Sequence, residues 1–112
     1  MIKVSNKEII EISTFMPKKG SKKVLLEKLH ELLIPIHKEP HCINYELFLK
    51  QGGMILAIGR WETSIAYNLH TNMQYIVDFR EKIAPDLCDD FNYHEVKAIV
   101  PPMTALSLMN EV

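Results

Sequence analysis

The sequence has 112 residues and contains little of several features that would mark a protein class. Its only cysteines, Cys42 and Cys88, lie far apart and form no C-x-x-C motif, so no disulfide framework is expected. No run approaches the ~20 apolar residues of a membrane helix, and the first ten residues lack the apolar core of a signal peptide. These absences predict a cytoplasmic protein with reduced thiols and no membrane partner.

The sequence also has almost no net charge, only −1, because 13 Lys and Arg stand against 14 Asp and Glu. Nucleic-acid-binding proteins usually carry a basic excess, so no nucleic-acid partner is predicted. One basic cluster surrounds Gly20-Ser21 and consists of Lys18, Lys19, Lys22 and Lys23. It is interpreted as a solvated loop and first helical turn, with an anion-attracting patch at a helix start as the alternative.

Alternating apolar residues predict four strands, over residues 7–16, 42–49, 54–61 and 92–100. Gln51-Gly52-Gly53 predicts a hairpin between the second and third strands, since glycine adopts positive φ easily. Within the second strand, strict alternation predicts that one face carries Cys42, Asn44, Glu46 and Phe48. The other face would then carry Ile43, Tyr45, Leu47 and Leu49.

Apolar residues at helical spacing predict two helical regions between these strands. Ser21 is the predicted N-cap of the first region, and Pro35 is predicted to kink or end it. Thr63 is the predicted N-cap of the second region, which Thr71-Asn72 interrupts and Pro85 ends. The first stripe consists of Leu25, Leu29, Leu32, Leu33 and Ile36; the second region carries Ile65, Ala66, Leu69, Ile76, Phe79 and Ile83.

The order strand, helix, strand, strand, helix, strand predicts a ferredoxin-like α+β fold with an antiparallel sheet and helices on one face. We expect a single domain over residues 1–112, with a core at about 8–100 and a short apolar tail at 101–112 that packs on something. Two helices cover only one sheet face, and a large exposed apolar face usually marks an interface. The pattern therefore predicts a homodimer.

Two segments resemble a known family. The run from Glu39 to Phe48 is similar to the E-P-G-C-x-x-Y-E-L-F signature of antibiotic biosynthesis monooxygenase domains. The segment Arg60-Trp61-Glu62-Thr63, followed by Ala66 and His70, resembles that family's R-W-E-[ST] motif with its later histidine. The resemblance covers roughly residues 8–100, with two departures: His41 replaces a glycine, and Gly59 replaces a glutamate that many members carry.

The resemblance implies a dimeric α+β barrel and a cofactor-independent monooxygenase that uses O₂ on a quinol-like or polycyclic aromatic substrate. The family also contains haem-degrading enzymes and an isomerase. Ser13 stands where haem-degrading relatives carry an asparagine, and Trp61 favours an oxygenase over an isomerase. The main alternative is a non-catalytic, small-molecule-binding or stress-associated dimer of the same fold. No cofactor is implied.

The resemblance and the chemistry together nominate His70 and Trp61 as catalytic residues, His70 because imidazole accepts protons near neutral pH. The nominated substrate-binding residues are Asn44, Tyr45, Glu46 and Arg60. Purely structural roles stay open, since a tryptophan at a strand end and a lone helical histidine commonly belong to the core. The face of the sheet that holds the pocket also stays open.

A metal site is not expected. His37, His41 and Cys42 lie near each other in the sequence, and such side chains bind metals. Pro40, however, interrupts the helix that would align the two histidines, and no fourth ligand is near.

Overall fold

The computed structural model describes residues 8–97. In chain order the elements are β1 (Ile9–Pro17), α1 (Lys22–His37), β2 (Cys42–Leu49), β3 (Ile55–Trp61), α2 (Ser64–Thr71), α3 (Gln74–Asp78), a π-helical segment (Phe79–Ile83), α4 (Ala84–Leu87) and β4 (Cys88–Val96). The strands form one antiparallel sheet in the order β2-β3-β1-β4. This topology confirms the predicted ferredoxin-like α+β fold.

The core lies between the helices and one face of the sheet, called here the inner face. Inward positions of β1 and β3 are buried, and they alternate with partly exposed positions on the outer face. This alternation follows from the two-residue period of a strand. The inner positions are Ile9, Glu11, Ser13 and Phe15 in β1, and Ile55, Ala57, Gly59 and Trp61 in β3. Two of them, Glu11 and Ser13, are polar, which is unusual inside a core.

The second strand contains a bulge that the sequence pattern does not reveal. Cys42 pairs with Trp61, but Asn44 already pairs with Arg60, so Ile43 is an extra residue. Directly paired residues share a face, so Cys42 lies on the inner face with Trp61. The prediction that Cys42 and Asn44 share a face is therefore wrong.

The hairpin and the two ends of α2 agree with the predictions. Gly52 and Gly53 have φ of 96° and 93°, and the Lys50 N–H donates to the Met54 carbonyl at 2.8 Å. The Thr63 hydroxyl caps α2 by accepting from the Ala66 N–H at 3.1 Å. The α2 helix ends at Thr71, as predicted.

Several other ends differ from the predictions. The Ser21 side chain makes no capping bond, although its backbone carbonyl accepts from the Leu25 N–H at 2.9 Å. Pro35 lies within the last turn of α1 rather than ending it. The fourth strand begins at Cys88, because β1 is long enough for Pro17 to pair there.

Pro85 lies near the start of α4 rather than at the exit of the helical region, which continues to Leu87. The π-helical segment before it places Phe79 in the core, with its ring 5.8 Å from that of Phe15 and nearly perpendicular at 80°. Residues 98–100 and the predicted tail at 101–112 lie outside the described residues. Across the described part of the chain, no helix is both long and apolar enough to cross a membrane.

Candidate functional site

Trp61 and His70 meet on the inner side of the sheet. Trp61 ends β3 and is fully buried, while His70 lies in the last turn of α2 and is 2% exposed. Their ring centroids are 4.3 Å apart with an interplanar angle of 38°. Tyr45, which is also buried, packs edge-on against Trp61 at 6.3 Å. The structure therefore brings together three of the residues nominated from the sequence.

Glu39 holds His70 in place from the loop that follows α1. Nδ1 of His70 lies 2.8 Å from Oε1 and 2.9 Å from Oε2 of Glu39, and both side chains are 3% exposed. The hydroxyl of Tyr75 donates to Oε2 of the same carboxylate. A carboxylate at Nδ1 favours the tautomer with the proton on Nδ1, which makes Nε2 the accepting nitrogen. Within residues 8–97, Nε2 makes no hydrogen bond.

A second buried carboxylate, Glu11, lies nearby and is 6% exposed. Tyr67 donates its hydroxyl to Oε2 at 2.5 Å, and Ser13 donates to Oε1 at 3.1 Å. The Tyr67 ring packs on Trp61 with a centroid distance of 5.3 Å. Burial, and then the hydrogen bond to Glu11, raise the pKa of the Tyr67 hydroxyl, so it remains a donor at neutral pH. The Trp61–His70 pair is thus flanked by two carboxylates, Glu39 and Glu11.

Glu11 sits opposite Gly59 in the sheet. The resemblance implies a glutamate at this point in β3, and here a buried carboxylate comes from the neighbouring strand instead. The glycine itself leaves space for the aromatic rings. A Cβ atom at position 59 would lie 2.5 Å from Cη2 of Trp61 and 2.6 Å from Cδ2 of Tyr45.

Two buried donors of this cluster have no hydrogen-bond partner within residues 8–97: the indole Nε1 of Trp61 and the hydroxyl of Tyr93. Buried polar groups are nearly always paired, and leaving one unpaired costs about 1–3 kcal/mol. Unpaired donors at this location are suited to an incoming acceptor such as a ligand oxygen. Burial, and then the charge of Glu11, raise the pKa of Tyr93, so its hydroxyl also stays protonated.

Asn44, Glu46 and Arg60 lie on the outer face, away from Trp61 and His70. Asn44 Nδ2 donates to Glu46 Oε1 at 2.6 Å, and Arg60 Nη1 donates to Glu8 Oε1 at 2.9 Å. The bulge at Ile43 and the strand alternation produce this separation, because Asn44 pairs with Arg60. Within one chain, a site built on Trp61 and His70 includes Tyr45 but none of these three residues.

The histidines considered for a metal site have other partners. His37 Nδ1 donates to the Leu33 carbonyl at 2.7 Å, and His41 Nδ1 lies 2.8 Å from Glu62 Oε2. Over residues 8–97, no group of three or more His, Cys, Asp or Glu side chains is arranged to hold a metal ion.

Two open cavities of about 500 and 550 Å³ lie along the surface of α1, and both are lined by Leu26 and Glu27. Neither touches Trp61 or His70. Since Trp61 is fully buried, a substrate reaches this cluster only if the side chains that cover it move.

Similarity to known proteins identifies the family of this chain. Residues 8–82 match the family model described as antibiotic biosynthesis monooxygenase. The chain belongs to this family. A comparison with curated proteins finds no match.

Several solved structures have a fold similar to that of this antibiotic biosynthesis monooxygenase family member. A protein from Shewanella oneidensis is 19% identical with a TM-score of 0.84, covering 90% of this chain and 100% of its own. A Mycobacterium tuberculosis protein is 21% identical with a TM-score of 0.76, covering 88% and 98%. A structure described as an antibiotic biosynthesis monooxygenase is 22% identical with a TM-score of 0.71, covering 81% and 98%. At these identities the likeness concerns the fold.

Sequence reasoning missed five residues of the cluster in this family member: Glu11, Glu39, Tyr67, Tyr75 and Tyr93. Glu39 opens the signature that carries the resemblance, but the signature alone indicates no role for it. Glu11 carries a weaker signal, as the only charged residue of β1. Nothing local identifies Tyr67 and Tyr75, because their carboxylate partners are distant in sequence, or Tyr93, whose hydroxyl has no partner within residues 8–97.

Proposed function

We propose that this protein is a cofactor-independent monooxygenase that uses O₂ to oxygenate a quinol-like or polycyclic aromatic compound in the cytoplasm. The observation that carries the proposal is the Glu39–His70 pair, buried and packed against Trp61. For a quinol, the balanced reaction converts quinol and O₂ into hydroxyquinone and water. The substrate supplies all the electrons, so the protein has to move protons and stabilise charge.

His70 supplies the proton acceptor. In this mechanism Nε2 accepts the proton of a substrate hydroxyl, and the resulting imidazolium is stabilised by the Glu39 carboxylate at Nδ1. The phenolate is then electron-rich enough to pass one electron to O₂. The substrate radical and superoxide combine, which forms a C–O bond and leaves a peroxide on the ring.

The remaining steps return the proton. His70 gives its proton to the peroxide, the ring carbon loses its hydrogen as H⁺, and the O–O bond breaks to release water. The unpaired Nε1–H of Trp61 is a donor for the negatively charged oxygen that develops on the way. A buried donor is more effective than one in water, because the surroundings screen the charge less.

A second candidate is the non-catalytic, small-molecule-binding dimer. It is favoured by the burial of Trp61 and His70, at 0% and 2% exposure, and by the position of both cavities along α1. The two functions differ in one measurable respect. Both predict that an aromatic compound binds, but only the oxygenase consumes O₂ when it does.

The homodimer is part of the proposal. The outer face of the sheet carries partly exposed apolar side chains, among them Ile10, Ile12, Leu56 and Ile58. Phe48 and Val96, on the edge strands β2 and β4, are 43% and 37% exposed. A second copy packed on this face would bury them. Light scattering after size-exclusion chromatography is expected to give twice the monomer mass, and Ile12→Asp to give monomers.

Oxygen consumption tests the activity. Purified protein, treated with a chelator and free of flavin, is offered a panel of quinols and anthrones in an oxygen electrode. We expect O₂ uptake with at least one compound, and a loss of about 10²-fold or more in kcat for His70→Ala. His30→Ala, an exposed helical histidine, is the matched control. A folded protein that consumes no O₂ with any compound, or an unimpaired His70→Ala variant, contradicts the proposal.

A further inference from the structure

The buried hydroxyl of Tyr93 has no partner within residues 8–97, and the mechanism above does not use it. Tyr93 pairs with Ser13 across β1 and β4, so it lies diagonally from Glu11 on the inner face. Diagonal neighbours on one sheet face are within reach of an aromatic side chain. The charge of Glu11 contributes to the raised pKa of Tyr93, as expected for close groups that are not bonded to each other.

Glu11 has accepting capacity left. Its Oε1 accepts from Ser13 and its Oε2 accepts from Tyr67, while an ionised carboxylate offers about four lone-pair sites. Tyr93 therefore supplies an unused donor and Glu11 an unused acceptor. A hydroxyl group is the matching ligand, because it accepts one hydrogen bond and donates another.

A second unused donor and acceptor belong to the Trp61–His70 pair. The indole Nε1 of Trp61 is an unpaired donor, and Nε2 of His70 is the accepting nitrogen because Nδ1 faces Glu39. Tyr67 connects the two ends, since its ring lies 5.3 Å from Trp61 and 6.3 Å from His70 while its hydroxyl bonds to Glu11. The cluster thus has two donor–acceptor pairs at separate places around one aromatic surface.

We propose that Tyr93 and Glu11 form a second polar subsite, which binds the second hydroxyl of a dihydroxyaromatic substrate whose first hydroxyl lies at His70. This inference rests on the proposed function for the reaction and narrows its substrate class to compounds with two well-separated hydroxyls. Tyr93 donates to the second hydroxyl oxygen, and Glu11 accepts its proton in a hydrogen bond. Both residues determine specificity, whereas His70 carries the proton transfer.

Calorimetric titration without oxygen tests the subsite apart from the reaction. The probes are hydroquinone and phenol, which differ only in the second hydroxyl. We expect the full-length protein to bind hydroquinone about tenfold or more tightly than phenol, since a hydrogen bond to a charged group is strong. Tyr93→Phe and Glu11→Gln are expected to bring the ratio near the factor of about two that two equivalent hydroxyls give.

Glu81→Gln is the matched control, because it removes the same charge from an exposed position in the π-helical segment. It is expected to keep the wild-type ratio. Circular dichroism of each variant verifies folding, and Tyr93→Phe, which removes a single oxygen atom, serves if Glu11→Gln does not fold.

The outcomes separate the two proposals. A hydroquinone preference that disappears in Tyr93→Phe supports the subsite even if no O₂ is consumed with any quinol. If O₂ uptake depends on His70 but the ratio of hydroquinone to phenol affinity is unchanged in both variants, the proposed function stands and the subsite is overturned. Water is then the partner of Tyr93. Wild-type protein that binds the two probes equally, or neither, also overturns it.

Discussion

The indole ring of Trp61 lies directly over Gly59, two residues earlier on the same strand. A Cβ atom at position 59 would come within 2.5 Å of Cη2 and 2.6 Å of Cζ3 of Trp61. Both contacts are shorter than real Cβ atoms show, so any side chain there displaces the ring that packs on His70. The glycine is therefore required by the aromatic cluster and not by its backbone conformation.

Gly59→Ala is expected to destabilise the fold by about 1–3 kcal/mol, because the added methyl group overpacks the cluster. At an unstrained site the same change would stabilise by about 0.4–1 kcal/mol through the unfolded state. Urea denaturation at fixed protein concentration measures the difference. In a Trp61→Phe background the cost should be smaller, since phenylalanine lacks the second ring. An equally stable Gly59→Ala variant would show that the cluster adapts freely.

Glu39→Gln is expected to lower kcat about 10²-fold or more with any compound that the protein oxygenates. A neutral amide cannot stabilise the imidazolium that forms when His70 accepts a proton. The structure offers a matched control in Glu62→Gln, which alters a second Glu–His pair, to His41, on the exposed surface. Steady-state O₂ uptake compares the two variants. Equal rates for both would mean that Glu39 only fills space.

The two helix starts give a paired stability test. Thr63→Ala is expected to cost about 0.5–2 kcal/mol, because the threonine hydroxyl caps the Ala66 N–H. Ser21→Ala is expected to cost less than about 0.5 kcal/mol, since the serine side chain makes no capping bond. Denaturant midpoints of the two variants are the measurement. The reverse order of costs would contradict the capping geometry.

All four tyrosines of the chain have a pKa raised above the ordinary value of about 10, with burial as the largest cause in each. Above about pH 10 the unfolded chain loses these protons while the folded chain keeps them. The free energy of unfolding is therefore expected to fall as pH rises past about 10. Below this pH the tyrosines give it no pH dependence.

Tyrosinate absorbance and far-ultraviolet circular dichroism, followed across the alkaline range, test this expectation. Because the folded chain holds these protons more tightly than the unfolded chain, tyrosinate absorbance should rise with the loss of circular dichroism and not before it. Tyr93→Phe should lower the amplitude of the absorbance change by about a quarter, since one of the four tyrosines is removed. The absorbance and circular dichroism signals should still change at the same pH. Tyrosinate that forms near pH 10 in a protein with native circular dichroism would contradict the burial.

Much of the fold could be predicted from the sequence, because strands, turns and helix caps depend on residues that are close together in the chain. Strand alternation, the Gly52-Gly53 turn and the Thr63 cap each depend on a few neighbouring residues. The bulge at Ile43 could not be predicted, since it exists only in the pairing of β2 with β3. That one extra residue decides which side of the sheet Cys42 occupies.

The site was predictable only where a motif marked it. The family resemblance and imidazole chemistry nominate Trp61 and His70, and the structure places their rings in contact. The hydrogen bonds of the two buried carboxylates join residues far apart in the chain: Glu39 precedes His70 by 31 positions, and Glu11 precedes Tyr67 by 56. Such pairs depend on how the helices lie on the sheet, which no local pattern records.

Trp61 is the only tryptophan of the sequence, and it is fully buried against an imidazole. Every photon of indole fluorescence from this protein thus originates at the candidate site. Because a protonated imidazole accepts electrons from an excited indole more readily than a neutral one, emission intensity will report the charge of His70 without any label. The protein carries its own optical sensor for the proton transfer proposed for it.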